Sequence, residues 1–447
     1  MEVLGNSVKH KIIKCLSFSL ALLSVLAFVR TAAADSSAPL PVGTVITRAN
    51  CAKYLDHMVE VLAHECTSTA VQTSIPNDYK IVIAPTGSYP LPASYWAATE
   101  KYSKQVTLEP TGDGSYRMKN YIAGQPFPYA QLSTSDPLAG YKLMYDAYFQ
   151  YEPARMIGYG LRSILTDRYG NRSETDTITG AYMLSHNTDP AYPMTMPNSP
   201  GTKGVYEVFY SELLFPTQLQ YISGVEWDYA DPDHIPQNWA FIPSIRRVLE
   251  LSQAARCAPY TATSNFSYDD HSRIQLPATW FKAQYLGTKY EIGYVVPTDR
   301  LKAATDDKNW EFPYQQWPRP SLGGHWETRP YLQLATERVP RYATGYCEAK
   351  HYIWLDKQQT ATVDYDDFDQ NGKFWRGEYN FLPVKPVPGG GYSFYNGTFG
   401  MQNPDFQNLS NSSLRPFPNF WYNQDIPARY MNLDRYATPA GLNQVVQ

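Results

Sequence analysis

Two apolar runs separated by a proline-containing turn constrain the fold of this chain more than any other feature. In the first run, from Leu219 to Tyr229, apolar side chains largely alternate with polar ones, the period of two that is typical of a half-buried β-strand. The following turn contains Pro232 and Pro236, which lack a backbone donor and therefore cannot continue a hydrogen-bonded ladder. The stretch from Leu219 to Leu251 predicts an antiparallel hairpin.

One face of this predicted hairpin is aromatic and must be covered. The second run places Trp239, Phe241, Ile245, Leu249 and Leu251 on one side. Such a face can fill a solid core, as most buried aromatic residues do, or it can line a cavity for a hydrophobic molecule. We predict the cavity, lined by Trp227, Tyr229, Trp239, Phe241 and Ile245.

Further strand-like segments follow closely beyond Val205. The chain of 447 residues contains 37 Tyr and 35 Pro, which favour strands with aromatic faces and proline-containing loops over helical bundles. We predict a β-rich α+β fold in which a large curved antiparallel sheet, closed like a half-barrel, packs around helices and is connected by long loops. Residues 35–447 are predicted to form a single domain, with a helical and loop-rich part at 35–204, a sheet core at 205–382 and an extended C-terminal wrap at 383–447.

The N-terminal part is predicted to supply helices. Thr47 is the expected N-cap of a helix with an apolar stripe between Leu55 and Leu62. A second amphipathic helix is predicted between Tyr141 and Gly160. The polar, proline-containing stretch from Thr175 to Gly204 is predicted to be a connection, in the form of a mobile flap.

Residues 1–34 predict an export signal. Three lysines between Lys9 and Lys14 precede an apolar run from Cys15 to Val29, which is too short for a comfortable membrane span, and small residues end the segment at Ala34. We predict cleavage near Ala34 and export of the mature protein; the alternative is an uncleaved anchor. No later run approaches the roughly 20 apolar residues of a membrane-spanning helix.

The remaining cysteines are Cys51, Cys66, Cys257 and Cys347, an even set that predicts two disulfides in an oxidising compartment. If Cys51 to Cys66 is one straight helix, its ends lie about 22 Å apart, which is beyond disulfide reach. In that case each would pair with Cys257 or Cys347. The alternative is four buried thiols.

The charge pattern excludes nucleic acid as a partner. The formal net charge is -4, the signs are mixed, and the chain has no run of lysines and arginines. A protein that binds the phosphate backbone needs such a basic footprint.

Two motifs have the spacing of metal ligands. His57, Glu60 and His64 lie three and four residues apart and can chelate a metal from one helical face. A solvated polar face explains the same residues, and no HExxH motif is present, so we predict no metal there.

A second motif, from Asp367 to Glu378, matches the calcium loop of an EF-hand. Its flanks alternate like strands, whereas an EF-hand needs two helices. We therefore predict a hairpin turn. The alternatives, in decreasing order of preference, are a calcium loop of another type and a true EF-hand. The matching residues are Asp367, Asp369, Asn371, Gly372 and Glu378.

Asp269, Asp270 and His271 are the candidate acid–base residues of an enzyme. The simpler interpretation is that the two aspartates cap a turn or pair with Arg246 and Arg247. No G-x-S-x-G nucleophile motif exists in the chain. A periplasmic hydrolase or catabolic enzyme that uses these three residues is the alternative to the function predicted below.

Several short motifs follow one another in a characteristic order: AGQPFP, DPLAG, WAFIPSIRRV, SYDDHSRI, WETRP, HYIWLD and the DQNGKFWR turn. In this order they resemble the bacterial domain-of-unknown-function family numbered 1329, from about Gly43 to Glu378 and more faintly beyond. The chain departs from the family at Leu249–Leu251, where the family usually has a second arginine pair.

The resemblance implies a periplasmic protein of Gram-negative bacteria with a fold similar to the lipoprotein carriers of the Lol system. It also implies an apolar cavity inside the half-closed sheet, and partners such as a lipid-exporting transporter of the resistance-nodulation-division type or an outer-membrane protein. It implies neither catalytic residues nor a cofactor. The predicted function is binding or transfer of a hydrophobic molecule such as a lipid, a sterol-like compound or an acyl chain.

Overall fold

The computed structural model describes residues 38–67, 80–189, 204–231, 233–252, 257, 259, 263–265, 267, 276–297, 325–343, 346–387, 389–394, 401–415 and 419–444. Within these ranges, seventeen strands form one sheet, and β3 and β4 form a separate pair. The strands are β1 (Val45–Thr47), β2 (Lys80–Ala84), β3 (Thr107–Pro110), β4 (Tyr116–Lys119), β5 (Arg155–Thr166), β6 (Arg172–Met183), β7 (Val205–Phe215), β8 (Ser223–Tyr229), β9 (Gln237–Ile242), β10 (Arg247–Glu250), β11 (Phe281–Val296), β12 (His325–Arg338), β13 (Glu348–Asp356), β14 (Thr362–Asp369), β15 (Phe374–Pro386), β16 (Tyr392–Phe394), β17 (Met401–Asp405), β18 (Ser410–Arg415) and β19 (Asn419–Tyr422).

The helices are short. The α-helices are α1 (Glu60–Thr67), α2 (Ala93–Tyr102), α3 (Ala139–Tyr148), α4 (Pro340–Ala343) and α5 (Leu433–Tyr436). Short 3-10 helices lie at Cys51–His57, Ser103–Gln105, Tyr129–Gln131, Ala278–Trp280, Asn423–Asp425, Ala428–Tyr430 and Pro439–Gln444. Among the residues described, no helix has the length and apolar character needed to cross a membrane.

The large sheet has two antiparallel halves joined by its C-terminal strands. In one half the strand order is β10, β9, β8, β7, β6, β5. Strands β18 and β19 pair with β5, and β17 links β18 to β15. The other half has the order β15, β14, β13, β12, β11.

Two short parallel pairings complete the sheet. Residues Tyr294–Val296 of β11 pair with Phe381–Pro383 of β15, so the first and last of the five strands β11–β15 are hydrogen-bonded to each other at one end. Strand β2 pairs in parallel with β12. The sheet is thus strongly curved without closing along its whole length. The predicted fold, a β-rich α+β protein built on a large curved antiparallel sheet packed around helices, is confirmed.

Helices pack on both faces of the second half, and glycines permit the close approach. Helix α1 lies against β15, where a Cβ on Gly377 would come within 2.6 Å of the Val61 Cβ. Helix α3 lies against β11 on the other face, where a Cβ on Gly140 would come within 2.4 Å of the Ala283 carbonyl. Asp366 of β14 fixes α1 by accepting the N–H groups of Glu60 and Val61 at 3.2 and 3.1 Å.

The predicted central hairpin is present. Strands β8 and β9 are antiparallel, with Val225 opposite Trp239 and Ser223 opposite Phe241. The chain then turns again at residues 243–246, with Arg246 in the left-handed region at φ 52°, and returns as β10. Ile245, predicted to share a face with Trp239 and Phe241, lies instead in this turn and is half exposed.

The predicted N-terminal helix is also wrong in part. The segment breaks at Met58, which is extended, between the 3-10 helix Cys51–His57 and α1. Thr47 ends β1 instead of capping a helix. Because the segment folds back on itself, Cys51 and Cys66 approach to a Cα–Cα distance of 6.0 Å and form a disulfide.

The second disulfide joins Cys257 to Cys347. Two disulfides were predicted and are present, but the pairing inferred for a straight helix is wrong, because the helix is not straight. The alternative of four buried thiols is excluded by the same geometry.

Two further expectations need correction. The helix predicted between Tyr141 and Gly160 ends at Tyr148, and the chain then enters β5. The stretch from Thr175 to Gly204 is not a polar connection throughout, because it continues β6 to Met183; its residues 190–203 lie outside the described ranges.

Candidate functional site

The predicted ligand-binding residues belong to an apolar face on β6, β7, β8 and β9, which we call the covered face. Its buried members include Ile178 and Tyr182 of β6, Val208 and Tyr210 of β7, and Val225 of β8. The face owes its character to the alternation of the strands, which turns every second side chain to the same side.

The covered face is closed by residues 423–444, which we call the C-terminal cover. The 3-10 helix Pro439–Gln444 contacts β8, β9 and β10. Ile426, Tyr430, Tyr436, Ala437 and Leu442 of the cover are buried against the face. Part of the predicted C-terminal wrap thus packs over the predicted site.

Few hydrogen bonds hold the cover to the face. The Trp227 indole N–H donates to the carbonyl of Ala437 at 2.8 Å. The Tyr182 hydroxyl donates to the carbonyl of Tyr430 at 3.0 Å. Arg155 of β5 adds two polar contacts: its backbone N–H donates to Asn423 Oδ1 at 3.0 Å, and its guanidinium donates to the Met431 sulfur at 3.5 Å. The apolar and aromatic contacts include the edge-to-face pair of Tyr210 and Tyr436, with centroids 4.9 Å apart. Side-chain packing therefore dominates the attachment.

The structure brings four of the five predicted lining residues together. Trp227 and Tyr229 are buried, while Trp239 and Phe241 are half-buried and pack against the same cluster. The rings of Trp227 and Trp239 meet edge to face at 4.9 Å. Ile245 is 50% exposed and lies beyond the strand. The face thus runs from a buried centre to a half-open edge.

A small aromatic pocket on the other side of β6 escaped the sequence analysis. It has a cavity volume of about 20 Å³, roughly what one water molecule needs. Its lining comes from five separate parts of the chain, so no local sequence motif could predict it. The lining includes Tyr95, Tyr121, Phe149, Tyr151, His186 and Tyr206.

His186 is the polar centre of this pocket. Its Nδ1 lies 2.7 Å from the Ile122 carbonyl, so Nδ1 carries the proton and donates. Burial lowers the pKa of His186 to about 4, and the ring is neutral at pH 7. Its Nε2 is buried and has no hydrogen-bond partner among the described residues. The site can accept one hydrogen bond from a small donor such as water.

The predicted hairpin at the calcium-like motif is confirmed. Strand β14 ends at Asp369 and β15 begins at Phe374, with Gly372 at φ 73° in the turn. Asp367 is buried and pairs with Arg376 at 2.8 Å. The carboxylates of the motif are therefore engaged in turn and sheet contacts, and the two flanking helices of an EF-hand are absent from these positions.

We expect this hairpin not to bind calcium. A cation that binds the native state raises the melting temperature, so added calcium should shift it by less than about 1 °C. Asp369→Ala should cost about 1 kcal/mol equally with and without calcium, since Asp369 Oδ1 accepts the N–H groups of Asn371 and Lys373 at 2.9 and 3.0 Å. Thermal melts of both proteins with calcium and with a chelator test this. A rise of many degrees with calcium that Asp369→Ala abolishes would contradict it.

The three residues of the candidate metal motif do not converge on one point. Glu60 and His64 lie on α1 with His64 Nδ1 3.8 Å from the Glu60 carboxylate, while His57 faces β11. His57 Nδ1 lies 2.8 Å from the Tyr290 carbonyl, whereas His64 stacks on Phe374 with centroids 4.0 Å apart. In the described part of the chain, no group of three or more potential ligands is placed to hold a metal. Asp269, Asp270 and His271 lie outside the described residues, so the enzyme hypothesis stays a prediction.

Comparison with known proteins identifies one family. The model of a family described as a protein of unknown function (DUF1329) matches residues 45–403. No curated protein matches the chain.

Solved structures similar to the chain include three bacterial proteins. A putative outer membrane lipoprotein-sorting protein domain from Vibrio parahaemolyticus is 11% identical, with a TM-score of 0.44 over 67% of this chain and 98% of that one. A DUF1329 family protein from Desulfovibrio piger is 12% identical, with a TM-score of 0.45 over 67% and 99%. A LolA superfamily protein from Nitrosomonas europaea is 10% identical, with a TM-score of 0.36 over 66% and 98%.

Proposed function

The chain belongs to the DUF1329 family, and from this premise we propose that it binds and transfers a hydrophobic molecule in the periplasm. The ligand is a lipid, a sterol-like compound or an acyl chain. The observation that carries the proposal is the covered face, an aromatic sheet surface closed by a short segment of the same chain. Export follows a signal removed near Ala34, and a lipid-exporting transporter or an outer-membrane protein is the proposed partner.

The physical need for such a carrier is large. Each buried methylene is worth about 0.8 kcal/mol, so a long acyl chain leaves a membrane only if another apolar surface replaces it. The covered face offers aromatic side chains at its centre and a half-open edge at Trp239 and Phe241. Ligand can therefore enter from the edge.

The cover supports this mode of entry. Its 3-10 helices and the one-turn helix α5 lie outside the ladder of the sheet, and apolar side chains dominate the contact. An apolar ligand can replace Tyr430, Tyr436 and Leu442 while the strands keep their backbone hydrogen bonds. In this proposal, the cover occupies the face when no ligand is bound.

We expect an apolar fluorescent fatty-acid probe to bind the folded, delipidated protein. Trp239→Glu should weaken binding at least about tenfold, because an unpaired charge in an apolar lining is strongly unfavourable. Trp96→Glu is the matched control: Trp96 is 39% exposed on α2, and its replacement should change affinity less than about twofold. Fluorescence titration measures both, and circular dichroism confirms that each variant is folded.

A substitution in the cover separates ligand binding from core packing. Tyr436→Ala removes a buried ring from the cover, and the weaker cover should compete less, so probe affinity should rise several-fold. A residue that merely lines the site would lower affinity when truncated. Absence of probe binding by folded, delipidated wild type would refute the carrier function.

A further inference from the structure

Three turns meet at one end of the sheet, which we call the turn end. They connect β5 to β6 (residues 167–171), β7 to β8 (216–222) and β9 to β10 (243–246). Because the strands are antiparallel neighbours, alternate turns lie at the same end. The register agrees: Asp176 lies opposite Phe215, and Ser223 lies opposite both Glu212 and Phe241.

Each of these turns presents a large exposed apolar side chain. Tyr169 is 82% exposed, Ile245 is 50% exposed, and Phe215, the last residue before its turn, is 45% exposed. A single exposed apolar residue needs no explanation. Here three such side chains occur on alternate turns at the same end of one sheet.

Arginines accompany the apolar tips. Arg168 and Arg172 flank Tyr169, and Arg246 and Arg247 follow Ile245; all four are exposed. Arg168 donates through Nε to the carbonyl of Asn408 at 3.0 Å. Arg246 and Arg247 are exposed and have no acidic partner among the described residues; Asp269 and Asp270, the partners considered in the sequence analysis, lie outside those residues.

The acidic residues nearby are committed to internal contacts. Asp167 accepts the N–H groups of Tyr169 and Asn171 at 2.8 and 2.9 Å, which shapes its turn. Asp176 and Glu174 both pair with Arg162, at 2.7 and 3.8 Å. The charge that the turn end offers to a partner is therefore predominantly positive.

We propose that the turn end docks on the surface of an anionic phospholipid bilayer. Arginine pairs with phosphate through two parallel hydrogen bonds, tyrosine and other aromatic side chains favour the headgroup region, and apolar tips enter the boundary with the acyl chains. Separate tips on three turns suit a soft surface, whereas a protein partner needs a continuous complementary patch of about 800 Å². The proposal extends the carrier function but does not require it.

The position of the turn end fits delivery of a ligand. Strand β9 carries Trp239 and Phe241 of the covered face and leads directly to the turn that holds Ile245. A lipid that leaves the half-open edge of the face along β9 thus arrives at the bilayer surface.

The experiment is co-sedimentation of the full mature protein with two kinds of vesicle, phosphatidylcholine alone and phosphatidylcholine with phosphatidylglycerol. We expect binding to the anionic vesicles only, weakened by added salt. Two arginines near an anionic surface contribute about 1 kcal/mol each to the binding free energy, which together corresponds to about thirtyfold in the partition coefficient. The double variant R246E/R247E should therefore lower the partition coefficient at least about tenfold.

The control is K101E/K104E, which makes the same change in net charge at two exposed lysines at the end of α2; it should alter binding less than about threefold. I245S with Y169S should also lower binding severalfold without changing the charge. No binding, equal binding to both vesicle types, or an equal loss in the control would overturn the proposal. If R246E/R247E still binds the fluorescent fatty-acid probe, the variant has lost docking to the bilayer and has kept the proposed ligand-binding site.

Discussion

Arg329→Met is expected to destabilise the protein by about 3–5 kcal/mol, the cost of breaking a buried ion pair on one side. Arg329 of β12 is 1% exposed. Its Nε donates to Asp356 at 2.6 Å, and one terminal nitrogen donates to Glu327 at 2.8 Å. Both carboxylates are fully buried. Removing the guanidinium leaves the Asp356 carboxylate buried without its counter-ion, and leaves Glu327 with His325, whose Nε2 lies 2.7 Å away, as its ion-pair partner among the described residues.

The same side chain holds the N-terminal part against the sheet. Arg329 also donates to the Gly87 carbonyl at 3.0 Å, just beyond the parallel pairing of β2 with β12. The N–H of Gly87 in turn donates to Glu327 at 3.0 Å. Loss of Arg329 should therefore loosen β2 together with the loop that follows it.

Arg162→Met is the matched control for this prediction. Arg162 forms a two-point pair with Asp176 at 2.7 and 2.8 Å, but its side chain is about one-third exposed. Water screens such a pair, so its loss should cost less than about 1 kcal/mol. Denaturant unfolding of both variants gives the two free energies, and equal losses would show that burial does not decide the cost here.

The sequence predicted the parts of the fold whose periodicity is regular. The alternation between Leu219 and Tyr229 located β8, but the predicted run starts too early: residues 219–222 belong to the turn before the strand, where Tyr221 has a φ of 68°. The turn residues between Asp369 and Phe374 located the hairpin of β14 and β15. It failed at β6, where small polar residues face inward. Thr175 is buried and its hydroxyl meets that of Thr263 at 2.8 Å, so a residue that is polar in the sequence behaves as a core residue.

Contacts distant in sequence explain the other failures. The apolar stripe from Leu55 to Leu62 is compatible with one helix or with two segments folded back by a disulfide, and only tertiary structure decides between them. The cover over Trp227 comes from Ala437, 210 residues away. The aromatic residues of the covered face could be predicted, but the segment that closes it could not.

Stability should fall as pH rises from about 5 to 8, because buried carboxyl groups keep their protons in the folded protein. Burial raises the pKa of Asp146, Asp364 and Asp366 well above the ordinary value, and two buried glutamates contribute in the same direction. Glu291 of β11 and Glu65 of α1 are almost fully buried, and burial raises the pKa of each to about 8. One carboxylate oxygen in each has no hydrogen-bond partner within the described ranges. Both side chains are therefore protonated in the folded protein at neutral pH.

The direction follows from proton linkage. Above its ordinary pKa of 4.5, an unfolded glutamate has lost its proton while the folded one keeps it until about pH 8. The folded state then binds more protons than the unfolded state, so each group lowers stability by up to about 1.4 kcal/mol per pH unit across that window. The stabilising contribution is complete below pH 4.5 and lost as pH rises through 8.

Glu291→Gln should remove one of these contributions. The amide stays neutral at every pH, so the variant should match the wild type near pH 5 and exceed it by a few kcal/mol at pH 8. Glu100→Gln, at an exposed position of α2, is the control and should leave the pH profile of the wild type unchanged. Denaturant unfolding from pH 5 to 8 measures the three profiles. If Glu291→Gln and wild type differ by the same amount at both ends of this range, Glu291 is not protonated in the folded protein, and the pH dependence must come from other groups.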